Sequence, residues 1–187
     1  MKEPGLGVDF GRVINEGSAE PGGDDTTFLS GGYEEAMRTP AMPDAMDVLP
    51  RLVEMFEGRV WIVSKCGPRI QERTLQWLDH HDFWNKTGIL RANTRFCRER
   101  AEKAVHCKRL GITHFIDDRR DVLGHMRDVV EHRYLFGPQK TPAPDWVVAT
   151  PTWADVQSLI SLSSSRTRAM TTSVTSPKSS RSTGRSR

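Results

Sequence analysis

Apolar residues recur along the chain in two alternating rhythms. Short unbroken apolar runs mark strands, and apolar residues three or four apart mark helices. Gly5 to Phe10 reads as a first strand, and Arg59 to Ser64, with Val60-Trp61-Ile62-Val63 inside it, as a second buried one. Thr94 to Cys97, Thr113 to Ile116 and Arg133 to Phe136 follow, and Trp146-Val147-Val148 adds a last short strand. Between them, Met46, Leu49, Val53 and Phe56 give one face of a helix over Ala45–Glu57, which Gly58 stops. Gly67-Pro68 starts a second helix, with Ile70, Thr74, Trp77 and Leu78 inward. Helices are expected from about Glu99 to Leu110, stopped by Gly111, then over Val122–Val129 and Trp153–Ile160.

Strands that alternate with helices predict an α/β fold. The expectation is a three-layer, Rossmann-like parallel sheet with helices on both faces. Right-handed crossovers then bring the C-terminal ends of the strands to one edge, where ligands bind in open sheets of this kind. Residues 15–40 interrupt the rhythm. Gly17, Pro21-Gly22-Gly23-Asp24-Asp25, Gly31-Gly32 and Pro40 make them a loop-rich insert. After Leu162 the chain turns to Ser, Thr and Arg, with too little apolar surface to offset the entropy of ordering. The expected organisation is an α/β domain over 1–162 and a disordered tail over 163–187.

That tail changes the meaning of the charge. The chain carries a formal +3, yet residues 163–187 hold six basic residues and no acid, so residues 1–162 carry −3. A mildly acidic body argues against a nucleic-acid-binding surface, and nucleic acid would be reached only through the basic tail. No segment is long and apolar enough to span a membrane, and Met1-Lys2-Glu3-Pro4 leads into no signal-peptide core. Cys66, Cys97 and Cys107 make no C-x-x-C pair, which points to reduced thiols in a cytoplasmic protein. Cys97, His106 and Cys107 are conceivable zinc ligands, but buried, inert cysteines suit their spacing better. His80, His81 and His106 are assigned no role, and Trp61, Trp77 and Phe115 read as core.

The chemistry gathers at strand ends. The first strand delivers Asp9, with Gly11 two residues on. The second ends in Ser64, the fourth in Asp117-Asp118, and Lys103 sits early in the helix before the fourth. Three converging carboxylates call for a cation, and all-oxygen ligation favours Mg²⁺. A lysine and a hydroxyl beside them would complete a pocket for a phosphoryl group.

In this order the motifs Val8-Asp9-Phe10-Gly11-Arg12-Val13, Ile62-Val63-Ser64, Lys103 (ahead of Lys108) and Phe115-Ile116-Asp117-Asp118 resemble those of the haloacid dehalogenase-like hydrolases, over residues 5 to about 160. The resemblance implies a Mg²⁺-dependent phosphohydrolase of the capless or small-cap type, acting on a phosphorylated or phosphonate small molecule. Asp9 would be the nucleophile, forming an aspartyl-phosphate. Ser64 would bind a phosphoryl oxygen, and Lys103 would neutralise charge and orient Asp9. Asp9, the Gly11 carbonyl, Asp117 and Asp118 would hold the metal, with Asp118 ahead of Asp117 and Asp121 only loosely associated. Arg12 and Lys65 add cations for an anionic substrate. One position departs from the pattern. The family's phosphatases carry a second acid where this chain has Gly11, and use it to protonate the leaving group and activate water. Relatives that act on phosphonates also lack it. The alternative is a degenerate domain that binds a phosphorylated ligand or a protein partner without turnover.

Overall fold

A computed structural model describes residues 3–17 and 26–172, with side chains over 28–162 of the second stretch. Six parallel strands form one sheet in the order β3-β2-β1-β4-β5-β6. They are β1 (Leu6–Val8), β2 (Val60–Lys65), β3 (Thr94–Cys97), β4 (His114–Asp117), β5 (His132–Phe136) and β6 (Val148–Thr150). This is the doubly wound order, in which the chain builds outward from β1 on one side and then returns to β1 to build outward on the other. The place where it reverses lies beside β1, between β2 and β4.

The side-chain alternation of the strands builds two cores. Leu6, Val8, Val60, Ile62, Ile116, Tyr134 and Phe136 face one side, with α3 (Ala45–Met55), α4 (Pro68–His80), α5 (Phe83–Thr87) and α8 (Trp153–Thr172) supplying Leu49, Trp77, Phe83 and Trp153 against them. Trp61, Val63, Phe115 and Leu135 face the other, against Cys107 of α6 (Glu102–Leu110) and Val122 and Leu123 of α7 (Arg120–Gly124). Period-2 alternation with both sets buried explains the apolar runs of the central strands β1, β2 and β4, which are covered on both faces, while the edge strands β3 and β6 are partly exposed. The expected three-layer architecture is the one observed.

Several boundaries move. Residues 15–40 are not simply loop: the described part holds α1 (Thr26–Ser30) and α2 (Tyr33–Arg38). Glu35 folds back to accept the Gly32 N–H at 2.8 Å, and Ala36 and Met37 of the same helix are buried. This short helix is therefore held by a cap and by packing rather than by propensity. Pro21-Gly22-Gly23-Asp24-Asp25 lie outside the described residues. The helix expected from Glu99 begins at Glu102, because the Glu102 carboxylate accepts the N–H groups of Arg98 (2.8 Å) and Glu99 (3.0 Å) and holds the preceding turn. The helix placed at Val122–Val129 is the single turn and a half of α7. The last strand lies two residues later than expected, at Val148–Thr150. Helix α5 had no periodicity long enough to announce it. The final helix continues to Thr172, ten residues past the boundary drawn at Leu162. Extending a formed helix adds a backbone hydrogen bond per residue without a new nucleus, so a polar segment can follow an anchored one. Residues 173–187 lie outside the described residues.

Candidate active site

The reversal point of the sheet sets the site. β1 pairs with β4 in register Val8↔Ile116, so the residues that follow, Asp9 and Asp117, leave neighbouring strands side by side. The Asp9 N–H donates to the Ile116 carbonyl at 3.0 Å, which carries the ladder one residue further and fixes the direction of the Asp9 side chain. Beyond it the chain turns sharply, with the Phe10 carbonyl accepting from Ile14 (2.9 Å) and Asn15 (3.2 Å). Arg12 sits in this turn with φ of 60°, the left-handed region, which is unusual for a side-chain-bearing residue. The Asn15 side-chain oxygen accepts the Arg12 N–H at 3.2 Å, and the Val13 carbonyl accepts the Trp153 indole N–H at 2.8 Å, so both ends of the chain hold the turn in place.

Lys103 is the centre of the site. It is 2% exposed, and its ammonium donates to Asp9 Oδ1 at 2.6 Å and to Asp117 Oδ2 at 2.7 Å. The ring of Phe115 lies under it, 5.7 Å from Nζ. That ring is where it is because Gly7, its register partner on β1, has no side chain: a Cβ on Gly7 would come within 2.4 Å of Phe115. Asp117 is fully buried and its other oxygen accepts the Arg119 N–H at 2.9 Å. Asp118 forms an ion pair with Arg12. The Arg12 stem passes close over Gly17, where an added Cβ would meet Arg12 Cγ at 2.2 Å.

Three carboxylates therefore share the direct contacts of two cations, with Arg119 acting on Asp118 as well. The electrostatics follow. Burial works against the Lys103 ammonium, but the carboxylates of Asp117 and Asp9 outweigh it and raise its pKa above that of an ordinary lysine. Burial also pushes Asp117 upward, against Lys103 and with Asp9 and Asp118 adding to the rise. Asp118 is raised as well, by burial first and Asp9 second, with Arg12 opposing. A cluster in this condition takes up positive charge.

The donor set suits a hard divalent cation. Oxygens from Asp9, Asp117 and Asp118 lie within 4.8 Å of one another, and among the described residues this is the group of three or more potential ligands that forms. All-carboxylate ligation suits hard cations rather than zinc. Cys97, His106 and Cys107 are not brought together as a ligand set. The three thiols are free and buried, and burial raises each above its ordinary pKa, which makes them inert.

A cavity of about 180 Å³ opens over this cluster. Asp9, Gly11, Arg12, Ser64, Lys65, Lys103 and Asp118 all line it, and Asp117 is joined to them through its bond with Lys103. Gly11 has an ordinary backbone conformation there, and a Cβ on it would meet nothing within 4 Å. Sequence reasoning missed Arg100, Arg119, Thr74 and Phe28, which complete the wall. Phe28 comes from the insert, which is tied down where Arg73 donates to the carbonyls of Phe28 (2.8 Å) and Gly31 (3.0 Å). Asp121 stays outside, paired with Arg100 at 3.1 Å and Arg119 at 3.3 Å.

No family model matches the chain, and neither does any curated protein. Among solved structures, a match is found to a protein of Burkholderia xenovorans LB400 described as a "putative haloacid dehalogenase-like hydrolase". The identity is 13%, the TM-score 0.46, and the match covers 71% of this chain. The chain spans only 61% of that protein's length. The strand order and site geometry above, not this likeness, define the fold: a doubly wound parallel α/β sheet with a carboxylate–lysine cluster at its reversal point.

Proposed function

We propose that the protein is a phosphoryl-transfer hydrolase of the haloacid dehalogenase-like, capless or small-cap type, with Asp9 as its nucleophile. The observation that carries this reading is the bridge of Lys103 between Asp9 and Asp117, with Asp118 alongside, at the floor of an open cavity. Lys103 holds one oxygen of Asp9 and so orients the carboxylate, leaving its other oxygen to attack phosphorus. Ser64, near the end of β2, would donate to a phosphoryl oxygen, and Arg12, Lys65 and Arg119 would attract an anionic substrate. Asp9, Asp117 and Asp118, with the Gly11 carbonyl as a further oxygen, would hold Mg²⁺, which when bound screens the charge between nucleophile and phosphoryl group. The substrate is a phosphorylated or phosphonate small molecule. The three free thiols suit a reducing compartment such as the cytoplasm, and among the described residues no helix is long and apolar enough to cross a membrane.

Gly11 is the observation that favours a second reading, a domain that binds a phosphorylated ligand or partner without turnover. A screen of phosphate esters, acyl phosphates and phosphonates with Mg²⁺ decides between them. Turnover is expected for the natural chain and lost in Asp9→Asn, with a beryllium fluoride adduct forming on Asp9 of the natural chain only. Turnover that persists in Asp9→Asn refutes the assignment of the nucleophile. Absence of turnover on every substrate, with phosphate still bound, establishes the second reading.

A further inference from the structure

We infer that the substrate is an anhydride-type phosphoryl donor, whose leaving group departs as a stable oxyanion and takes no proton from the protein. This rests on the phosphoryl-transfer reading above and narrows it.

The side chains around the cavity carry much positive charge and little acid chemistry. Arg12, Lys65, Arg100, Lys103 and Arg119 line it. The protons other than these belong to the hydroxyls of Ser64 and Thr74 and the thiol of Cys66, which burial and then Asp9 push up to about 12. Among the described residues, no histidine, glutamate or tyrosine lines this cavity. Asp117 and Asp118 are engaged by Lys103 and Arg12. Next to Asp9, where a proton donor could stand, Gly11 leaves open space. An alkyl phosphate expels a strongly basic alkoxide, and proton donation in that step is worth ~10²–10⁴-fold. An acyl phosphate or a phosphoanhydride expels a carboxylate or a phosphate, which needs no proton.

The second observation is a place for that anion. A cleft of about 220 Å³ meets the first along Arg12, Asp118 and Arg119, and adds Arg120 and Lys140. Arg120 is held by one nitrogen, Nη2, which donates to the Thr141 hydroxyl at 2.9 Å and the Pro142 carbonyl at 2.8 Å. Four cations line this cleft, against the carboxylates of Asp118 and Asp121. Positive side chains fixed where negative charge develops stabilise the departing group without rearrangement.

The step balances without a protein acid. An oxygen of Asp9 donates its electron pair to phosphorus, and the bond from phosphorus to the bridging oxygen breaks. That pair stays on the leaving oxygen, which departs as carboxylate or phosphate. Water then attacks the phosphorus of the aspartyl-phosphate, and the Asp9 carboxylate is released. Both protons of the water stay with the phosphate, which gives its excess proton to solvent.

The test compares kcat/KM for acetyl phosphate, pyrophosphate and glycerol 3-phosphate with Mg²⁺, in the natural chain, Gly11→Asp and Gly11→Asn. The natural chain should favour the better of the two anhydrides over glycerol 3-phosphate by at least ~10²-fold. Gly11→Asp should shrink that ratio by ~10²-fold or more by supplying the missing acid, and Gly11→Asn, of the same size, should not. Lys140→Gln distinguishes the two anhydrides. A rise in KM confined to pyrophosphate identifies phosphate as the leaving group, and preference for acetyl phosphate identifies carboxylate. A natural chain that turns over glycerol 3-phosphate as well as the anhydrides overturns this inference alone, as does an unchanged ratio in a folded Gly11→Asp. No turnover of any donor overturns it together with the hydrolase reading.

Discussion

Replacing Lys103 by methionine removes the cation from a buried ionic cluster while keeping an unbranched side chain of similar length. Asp9 and Asp117 lose hydrogen bonds of 2.6 and 2.7 Å and face each other with no cation between them. Breaking one partner out of a buried ion pair costs about 3–5 kcal/mol, because a desolvated charge is left behind. Total stabilities are about 5–15 kcal/mol. For a chain of this size each kcal/mol lowers Tm by about 2–4 °C, so Lys103→Met should melt about 6–20 °C below the natural chain at neutral pH. The orphaned carboxylates cause the loss, so Asp117→Asn added to Lys103→Met should recover stability, giving a coupling energy of about 1–3 kcal/mol in a double-mutant cycle. Thermal melts followed by circular dichroism measure all four proteins. A double variant as unstable as the two single losses added together would refute the reasoning, because it would show that Lys103 and Asp117 act independently.

Two further outcomes follow from other contacts. Gly17→Ala should force the Arg12 stem aside, since the new Cβ would lie 2.2 Å from Arg12 Cγ. With the Arg12–Asp118 pair loosened, Mg²⁺ affinity by calorimetry should rise about tenfold, in Gly17→Ala and Arg12→Gln alike; weaker binding in both would refute a competition for Asp118. At the opposite edge of the sheet, His114 is buried among Phe56, His132 and Tyr134, with its Nδ1 2.8 Å from the Thr113 hydroxyl. Burial, then the neighbouring His132, lowers its pKa to about 3. Between pH 6.5 and that value the unfolded chain binds at this group a proton that the folded chain refuses, so the His114 contribution to stability rises with pH through this window. Asp117 and Asp118, raised by burial, act in the opposite sense but are common to both proteins, so the stability difference between the natural chain and His114→Phe should change by about 3 kcal/mol from pH 6.5 to pH 4 in urea denaturation.

The sheet was legible because its central strands β1, β2 and β4 are buried on both faces, which writes them into the sequence as short apolar runs. Asp9, Ser64 and Asp117-Asp118 were legible because each ends such a run, and Lys103 because it precedes one. What stayed hidden depends on contacts between distant segments. Helix α2 exists through the Glu35 cap and the burial of Ala36 and Met37, neither of which leaves a period. Arg100 and Arg119 are surface-type residues in the sequence, and only the turn held by Glu102 and the bend after Asp117 bring them to the cavity. The one overlooked signal is Gly7, a glycine inside an apolar strand, which announces a close neighbour. That neighbour is the Phe115 ring that supports Lys103.

The bond from the Trp153 indole to the Val13 carbonyl joins residues 140 positions apart. It gives the protein a schedule. During synthesis Asp9 is made long before Trp153, so the turn beside it is locked only when α8 arrives. Asp117 and Lys103 are also still to be made when Asp9 appears. A growing chain therefore carries Asp9 before the contacts that position it exist.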